Sequence, residues 1–169
     1  TFNCHVLGFG GTVHAAPYKE ECEGPQALLD LARQVGAKLL YIANPDNPMG
    51  SHHPPAVLQD MLAHVPSDTL MILDEAYIEL APEGTAPVID PNTPNLIRFR
   101  TFSKAHGLAG MRVGYAITNP VLAKAFDKVR NHFGVGRASQ IAALAALQDQ
   151  GHVAWVRGAV VAARGRVGA

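Results

Sequence analysis

The side chains with the clearest chemical potential lie in one short stretch of the sequence, TFSKAHGLAGMRVGY, from Thr101 to Tyr115. This stretch contains Lys104 together with Thr101, Ser103 and Arg112. Hydroxyl groups and a guanidinium are donors suited to a phosphate dianion. A lysine amine acts as a nucleophile or a base when desolvation or a nearby cation favours its neutral form. A lysine beside a phosphate site therefore indicates a phosphate-bearing aldehyde cofactor held as an imine, and pyridoxal phosphate is such a cofactor.

Two short predicted strands, one before and one after the loop, would hold this stretch in place. Residues 96–101 alternate bulky apolar with basic side chains, which predicts a strand that ends just before Lys104. Residues 112–118 are again strand-like, and Gly107 and Gly110 supply the turn between the two runs. Because the chain goes out and returns over so few residues, we expect the second strand to be antiparallel to the first. We also expect Arg112 to lie near Thr101 and Ser103.

A second candidate element is the sequence Asp74-Glu75-Ala76-Tyr77, which follows the predicted strand at residues 70–73. Proteins of the α/β class place their chemistry at the carboxyl ends of buried strands. A carboxylate such as that of Asp74 can keep the pyridine nitrogen of the cofactor protonated, so that the ring accepts electrons from a substrate carbanion. Tyr77 lies three residues further on, and its phenol is a candidate to bind the ring hydroxyl.

A proline-rich loop, NPDNPMG, runs from Asn44 to Gly50 and follows a third predicted strand at residues 38–43. Its prolines can neither continue the strand nor begin a helix, so we expect a rigid, open loop. The next residues, His52 and His53, have no metal-ligand spacing, and we expect them to be solvated. The sequence therefore predicts no metal site.

These three segments together resemble the fold type I pyridoxal-phosphate-dependent aminotransferases. Residues 103–115 match the pattern SK(x)3LAGxRxGY of the family's cofactor-lysine segment, and residues 74–77 match its DEAY stretch. The loop at residues 44–50 is similar to the family's NPNNPTG loop and departs from it at Asp46 and Met49. The sequence of the lysine segment is most similar to that of the histidinol-phosphate aminotransferase group.

The resemblance implies a transaminase that moves an amino group between an amino acid or amino-alcohol phosphate and a 2-oxo acid, with histidinol phosphate favoured. It implies three catalytic residues: Lys104 as tether and general base, Asp74 at the ring nitrogen, and Tyr77. In the family, the asparagine at the position of Asn47 donates a hydrogen bond to the ring oxygen. The cofactor-binding residues implied are Asn47, Asp74, Tyr77, Thr101, Ser103, Lys104 and Arg112.

Three alternatives remain open from the sequence. A pyridoxal-phosphate-dependent decarboxylase of the same group would share all of these residues. A large-domain fragment that folds without turnover is the second alternative. The third is a P-loop NTPase fragment, because an apolar strand that ends in Asp-Glu is also typical of a Walker B element. That reading requires a GxxxxGK[ST] loop, which the sequence lacks, and it leaves Lys104, Asn47 and Arg112 unexplained.

Composition narrows the class of protein further. The 169 residues are 48% hydrophobic, and 14 basic side chains balance 14 acidic ones. This balance argues against a nucleic-acid or anionic-membrane surface. Cys4 and Cys22 lack CxxC spacing and are expected to be free thiols, and no apolar run approaches the ~20 residues of a membrane span. We therefore expect a cytoplasmic protein.

Alternating strands and helices predict an α/β fold, a three-layer αβα sandwich with a mostly parallel sheet and one antiparallel strand, as in the large domain of these transferases. Helices are expected to begin at Pro25, Pro55 and Pro120. A strand is expected at residues 12–16, and the alanine-rich helix at residues 138–147 is expected to be buried. Residues 1–130 would belong to the large domain. Residues 131–169 would form a breaker and helices leading toward a small domain. The resemblance implies that the breaker at residues 130–137 approaches the interface of a homodimer, and a plain interhelical loop is the alternative.

Overall fold

The computed structural model describes residues 2–19 and 22–167. Six α-helices are present in this part of the chain: α1 Phe2–Gly8, α2 Pro25–Val35, α3 Pro55–His64, α4 Pro120–Val129, α5 Arg137–Gln148 and α6 Gln150–Val167. The strands are β1 Leu39–Ala43, β2 Leu70–Asp74, β3 Leu96–Thr101 and β4 Gly114–Thr118. Two short 3-10 helices, Ile78–Leu80 and Ala109–Met111, follow β2 and precede β4.

The helices begin and end where the sequence provides local signals. Proline occupies the first turn of α2, α3 and α4, where its missing N–H costs no hydrogen bond. The side chain of Asn119 accepts hydrogen bonds from the backbone N–H groups of Val121 and Leu122 and so caps α4. Gly36 ends α2 in the left-handed conformation, with φ of 60°.

The four strands form one sheet in the order β1-β2-β3-β4. The β1–β2 and β2–β3 pairs are parallel, and β3–β4 is antiparallel. The predicted mostly parallel sheet with one antiparallel strand is therefore confirmed. Gly114 faces Thr101 across the antiparallel pair, and a Cβ atom at Gly114 would lie 2.7 Å from the backbone oxygen of Arg100. Only glycine fits this close approach of β4 to β3.

Helices cover both faces of the sheet. On one face, α2 and α3 enclose the hydrophobic core against β1, β2 and β3, through side chains that include Leu29, Leu58, Ile42, Met71 and Leu73. On the other face, Phe2 of α1 stacks on Tyr41, with ring centroids 4.6 Å apart, and Phe126 of α4 packs edge-on against Phe99 at 6.4 Å. Because neighbouring residues of a strand point to opposite faces, these contacts define three layers.

Several expectations about secondary structure and burial are wrong. Residues 12–16 form no strand, and the nearby pairing is a single bridge between Lys19 and Cys22. The final strand begins at Gly114 rather than at Arg112. Helix α5 forms as predicted, but Ile141 and Leu144 are 59% and 60% exposed, because no described element covers that face.

Candidate active site

The carboxyl ends of three adjacent parallel strands meet at one edge of the sheet. β1 leads into the loop of Asn47, β2 ends at Asp74, and β3 ends at Thr101, three residues before Lys104. Parallel strands present such ends side by side, which is where open α/β sheets bind ligands. The topology therefore brings together segments that lie far apart in the sequence.

Both carboxylate oxygens of Asp74 accept hydrogen bonds from the protein. Oδ1 accepts from the backbone N–H of Ala76 at 3.0 Å, and Oδ2 accepts from the hydroxyl of Tyr41 at 2.7 Å. Burial, together with the hydrogen bond to Asp74 and its negative charge, raises the pKa of Tyr41 above its usual range. Tyr41 therefore stays a neutral donor, and Asp74 is held in a fixed orientation at the end of β2.

Tyr41 is a member of the site that the sequence reasoning missed. It lies in the apolar run of β1, opposite Ile72, and Asp74 lies opposite Ala43 two positions further along the ladder. Because residues two apart on a strand share a face, Tyr41 lies on the same face of the sheet as Asp74. The available signal was one phenol in an otherwise apolar strand, and it could be used only once the strand register was known.

The amide of Asn47 lies against the phenol of Tyr77. Asn47 Nδ2 donates to the Tyr77 hydroxyl at 3.2 Å, across 30 residues of sequence. The structure thus brings together two of the residues predicted to bind the ring oxygen.

The loop that carries Asn47 is held at its base by buried polar side chains. Asn44 is fully buried, and its Oδ1 accepts from the backbone N–H of His53 at 2.7 Å. The backbone N–H of Asp46 donates to Ser51 O at 2.9 Å, which closes the loop. The Asn44–Pro45 and Asn47–Pro48 peptide bonds are cis. The loop is thus closed at its base by hydrogen bonds. The expectation that His53 is solvated is wrong, because His53 is partly buried and its Nε2 lies 2.8 Å from Glu23 O.

Lys104 lies in the turn after β3 and projects toward Tyr77. Its Nζ is 5.0 Å from the centroid of the Tyr77 ring, and its side chain is exposed. The neighbouring Phe102 and Ala105 are buried and anchor the turn, and the N–H of Gly107 donates to Lys104 O at 2.9 Å. The amine is thus available at the same edge as the amide and the phenol.

The three residues predicted to bind phosphate lie around the connection from β3 to β4. The N–H of Ser103 donates to Thr101 Oγ1 at 3.1 Å, and the N–H of Phe102 donates to Val113 O at 3.2 Å across the return. Arg112 is exposed, and its backbone adopts the left-handed conformation with φ of 50°. Its Nη1 donates to Ala109 O at 2.8 Å. The connection therefore presents hydroxyls and a guanidinium close together along the chain.

Two further acidic side chains, Asp46 and Glu23, flank the site. The Tyr18 hydroxyl donates to Asp46 Oδ2 at 2.8 Å, and this hydrogen bond is the main reason that the pKa of Tyr18 rises to about 12. Glu23 Oε2 accepts from the N–H of Ala43 at 3.1 Å. Burial raises the pKa of Glu23 to about 7, and the charges of Asp46 and Asp74 add to the effect. Three carboxyl groups, those of Glu23, Asp46 and Asp74, therefore lie close enough at this edge to influence one another.

A cavity of about 260 Å³ opens beside the Asn47 loop. Asn47 and Tyr77 line one side, and Val160 and Arg164 of α6 line another. Within residues 2–19 and 22–167, no cluster of three or more histidine, cysteine or acidic side chains has the arrangement of a metal site. None of the described helices is both long enough and apolar enough to cross a membrane.

A mostly parallel sheet that carries an acid, an amide and a lysine at one edge defines the large-domain architecture of pyridoxal-phosphate-dependent transferases. More specifically, the chain belongs to the family of class I and II aminotransferases, whose sequence model matches residues 10–166.

Three relatives show the degree of similarity. The chain is 45% identical over 160 residues to a histidinol-phosphate aminotransferase of Anaeromyxobacter sp. (strain Fw109-5), covering 92% of this chain and 43% of that protein. It is 41% identical to an aromatic amino acid aminotransferase of Mycobacterium avium (strain 104), in an alignment that covers 99% of this chain and 48% of the relative. The crystal structure of histidinol-phosphate aminotransferase from Sinorhizobium meliloti in complex with pyridoxal-5'-phosphate superposes with a TM-score of 0.95 and 46% identity, over 99% of this chain and 46% of that one. The chain thus spans less than half the length of each relative.

Proposed function

We propose that this chain is the cofactor-binding part of a pyridoxal-phosphate-dependent aminotransferase. The observation that carries the proposal is the convergence at Tyr77: its hydroxyl accepts from Asn47 at 3.2 Å, and its ring lies 5.0 Å from Lys104 Nζ. Asp74, three residues before Tyr77, ends the central parallel strand. An amine, an amide, a phenol and a carboxylate are thus grouped at a ligand-binding edge.

This set of side chains fits pyridoxal phosphate. The aldehyde requires an amine, which Lys104 provides, and the ring nitrogen requires a carboxylate, which Asp74 provides with both of its oxygens already oriented. The ring hydroxyl requires donors, which Asn47 and Tyr77 can supply. The phosphate requires hydroxyl and guanidinium donors, which Thr101, Ser103 and Arg112 present on the β3–β4 connection.

When bound, pyridoxal phosphate supplies an aldehyde that reacts with amines and a ring that accepts electrons. The residues of the chain perform the remaining tasks. Lys104 would hold the cofactor through its amine, and the same amine, once the substrate amine has displaced it, would move the proton from the substrate Cα to the C4' carbon. Asp74 keeps the ring nitrogen protonated, and Asn47 and Tyr77 fix the position of the ring oxygen. With the cofactor bound, the amino donor would leave as the corresponding oxo compound, which is an oxo phosphate for histidinol phosphate, and a 2-oxo acid would accept the amino group.

The substrate class that the similarities favour is an amino-alcohol phosphate, with histidinol phosphate first. The sequence of the lysine segment and the 45% and 46% identities to histidinol-phosphate aminotransferases support this choice of substrate. An aromatic amino acid is the second candidate, because an aromatic amino acid aminotransferase is 41% identical. An assay with histidinol phosphate and with phenylalanine, each paired with 2-oxoglutarate, separates the two. Release of CO2 from phenylalanine in place of amino-group transfer would assign a decarboxylase instead.

We further propose the organisation of the whole protein from its relatives. Residues 1–130 belong to the large domain, and residues 131–169 lead toward a small domain. The assembled enzyme is a homodimer, and the segment at residues 130–137 lies near its interface. Size measurement of the full-length gene product by light scattering tests the dimer, and a monomeric mass would refute it.

Absorbance spectroscopy with added pyridoxal phosphate tests the cofactor assignment in the full-length gene product. We expect a protein-dependent band near the visible edge that is lost in Lys104→Ala. Lys124→Ala is the matched control, because Lys124 is an exposed lysine on α4. The control should retain the band. Equal spectra for the unmodified protein and Lys104→Ala would refute the role of Lys104.

A further inference from the structure

Glu75, the residue after Asp74, is completely buried and is bonded by two arginines. Its Oε1 accepts from Arg98 Nη2 at 2.7 Å, and its Oε2 accepts from Arg98 Nε at 3.1 Å and from Arg100 Nε at 3.0 Å. Arg98 therefore holds the carboxylate with a two-pronged hydrogen bond, and Arg100 adds a third. Arg98 is itself 8% exposed, so most of this ion cluster is removed from water.

The cluster lies where the backbone pairing of β2 and β3 ends. The last described backbone hydrogen bond between these strands runs from Glu75 N to Phe99 O at 2.9 Å. After this point the two chains separate, because one continues to Tyr77 and the other to Thr101 and Lys104. The Glu75 side chain therefore connects the two chains at the last ladder bond, through Arg98 just before Phe99 and Arg100 just after it.

Net stability is a poor explanation for such a cluster. Removing three charged groups from water is costly, and buried ion pairs are often no more stabilising than apolar residues of similar volume. The geometry, by contrast, is specific. Three directed N–H bonds fix the β3 side chains against a carboxylate that immediately follows Asp74. Arg100 also lies 3.9 Å from Glu79 Oε1, on the short helix that follows Tyr77.

We propose that Glu75 is a positioning residue that, through Arg98 and Arg100, sets the place of Asp74 and Tyr77 relative to Lys104. The inference rests on the proposed function, because it concerns how this chain presents its side chains to pyridoxal phosphate. Glu75 itself touches neither cofactor nor substrate. Its action is to hold the ends of β2 and β3 in one register, so that the acid and the amine meet the same ring.

The test compares Arg100→Lys and Glu75→Gln with Arg33→Lys in the full-length gene product. Arg100→Lys keeps the charge but loses the Nε donor, so it is expected to fold even if Glu75→Gln does not. Arg33 pairs with Asp30 on the exposed surface of α2 and provides the matched control. Three quantities are measured: the Kd for pyridoxal phosphate, the visible circular dichroism of the bound cofactor at saturation, and Tm.

We expect Arg100→Lys to raise the Kd about tenfold, which corresponds to about 1.4 kcal/mol. We also expect the circular dichroism per bound cofactor to fall, because this signal depends on how the ring is oriented in the site. Arg33→Lys should leave both quantities unchanged. A lowered Tm with unchanged Kd and circular dichroism in Arg100→Lys would show a purely structural role and overturn the inference. Absence of pyridoxal phosphate binding in the unmodified protein would refute the proposed function, and with it this inference. Binding that is unaffected by Arg100→Lys would refute this inference alone.

Discussion

The hydroxyl of Tyr41 donates a hydrogen bond of 2.7 Å to Oδ2 of Asp74 from the neighbouring parallel strand. Since the other carboxylate oxygen is bonded to the backbone N–H of Ala76, both oxygens of Asp74 are oriented by the protein. The acid at the centre of the proposed site is thus positioned before any ligand binds.

Tyr41→Phe tests this arrangement. The change removes one side-chain hydrogen bond and leaves the aromatic stacking with Phe2 in place, so we expect a loss of about 1 kcal/mol in the free energy of unfolding. Since Asp74 would be less well oriented, the Kd for pyridoxal phosphate should rise several-fold. Urea unfolding and an absorbance titration measure the two effects. An unchanged Kd would show that Tyr41 does not support the acid.

Glu23→Gln should change how stability depends on pH. Burial raises the pKa of Glu23 from 4.5 to about 7, so between these values the folded protein keeps a proton that the unfolded chain has lost. The folded state then binds more protons than the unfolded state, and the contribution of Glu23 to stability falls as pH rises through this window. Glutamine cannot ionise, and its oxygen can still accept from the N–H of Ala43.

The free energy of unfolding of Glu23→Gln, relative to the unmodified protein, should therefore increase between pH 5 and pH 8, by on the order of 2 kcal/mol. Urea unfolding at several pH values measures the difference. A constant difference across that range would refute the raised pKa.

Gly114→Ala should be strongly destabilising. The added Cβ would lie 2.7 Å from the backbone oxygen of Arg100, so β4 would have to move away from β3, at a cost of about 1–3 kcal/mol. Gly158→Ala is the matched control, because nothing lies within 4 Å of a Cβ there and alanine is the better helix former by about 0.5–1 kcal/mol. Thermal denaturation should give opposite signs, and equal effects would contradict the close approach.

Asn119→Ala should weaken α4 at its first turn. The side chain accepts from Val121 N and Leu122 N, both at 3.0 Å, so its loss leaves two N–H groups without a protein acceptor and costs about 1 kcal/mol. Asn119→Asp keeps an acceptor oxygen and should retain most of the stability. Denaturant unfolding compares the variants, and equal losses in both would show that capping is not the cause.

Local signals explain why much of the fold could be predicted. Proline at Pro25, Pro55 and Pro120 marks helix starts through its fixed φ and missing N–H, and the apolar run before Asp74 marks the central strand. The segments carrying Asp74, Asn47 and Lys104 were recognisable because the chemistry requires particular residue types. Their meeting at one edge follows from the parallel order of β1, β2 and β3.

The expectations that were wrong, and the residues that were missed, concern properties that depend on tertiary contacts. The segment at residues 12–16 has the composition of a strand but no partner strand, and without a partner its backbone cannot form a ladder. Helix α5 has apolar side chains on nearly every face, yet burial requires a neighbour that covers each of them. Glu23 could not be assigned, since its contact with the N–H of Ala43 joins positions 20 residues apart through the fold alone.

The cavity beside Asn47 has walls of two different origins. One wall is formed by the loops that follow β1 and β2 and includes Asn47 and Tyr77. The other wall includes Val160 and Arg164 of the long helix α6, which lies outside the sheet. Substitutions in α6 can therefore reshape the cavity while the acid, the amide and the amine keep their scaffold. Varying positions 160 and 164 would change the size and charge of this cavity and leave the strand termini intact.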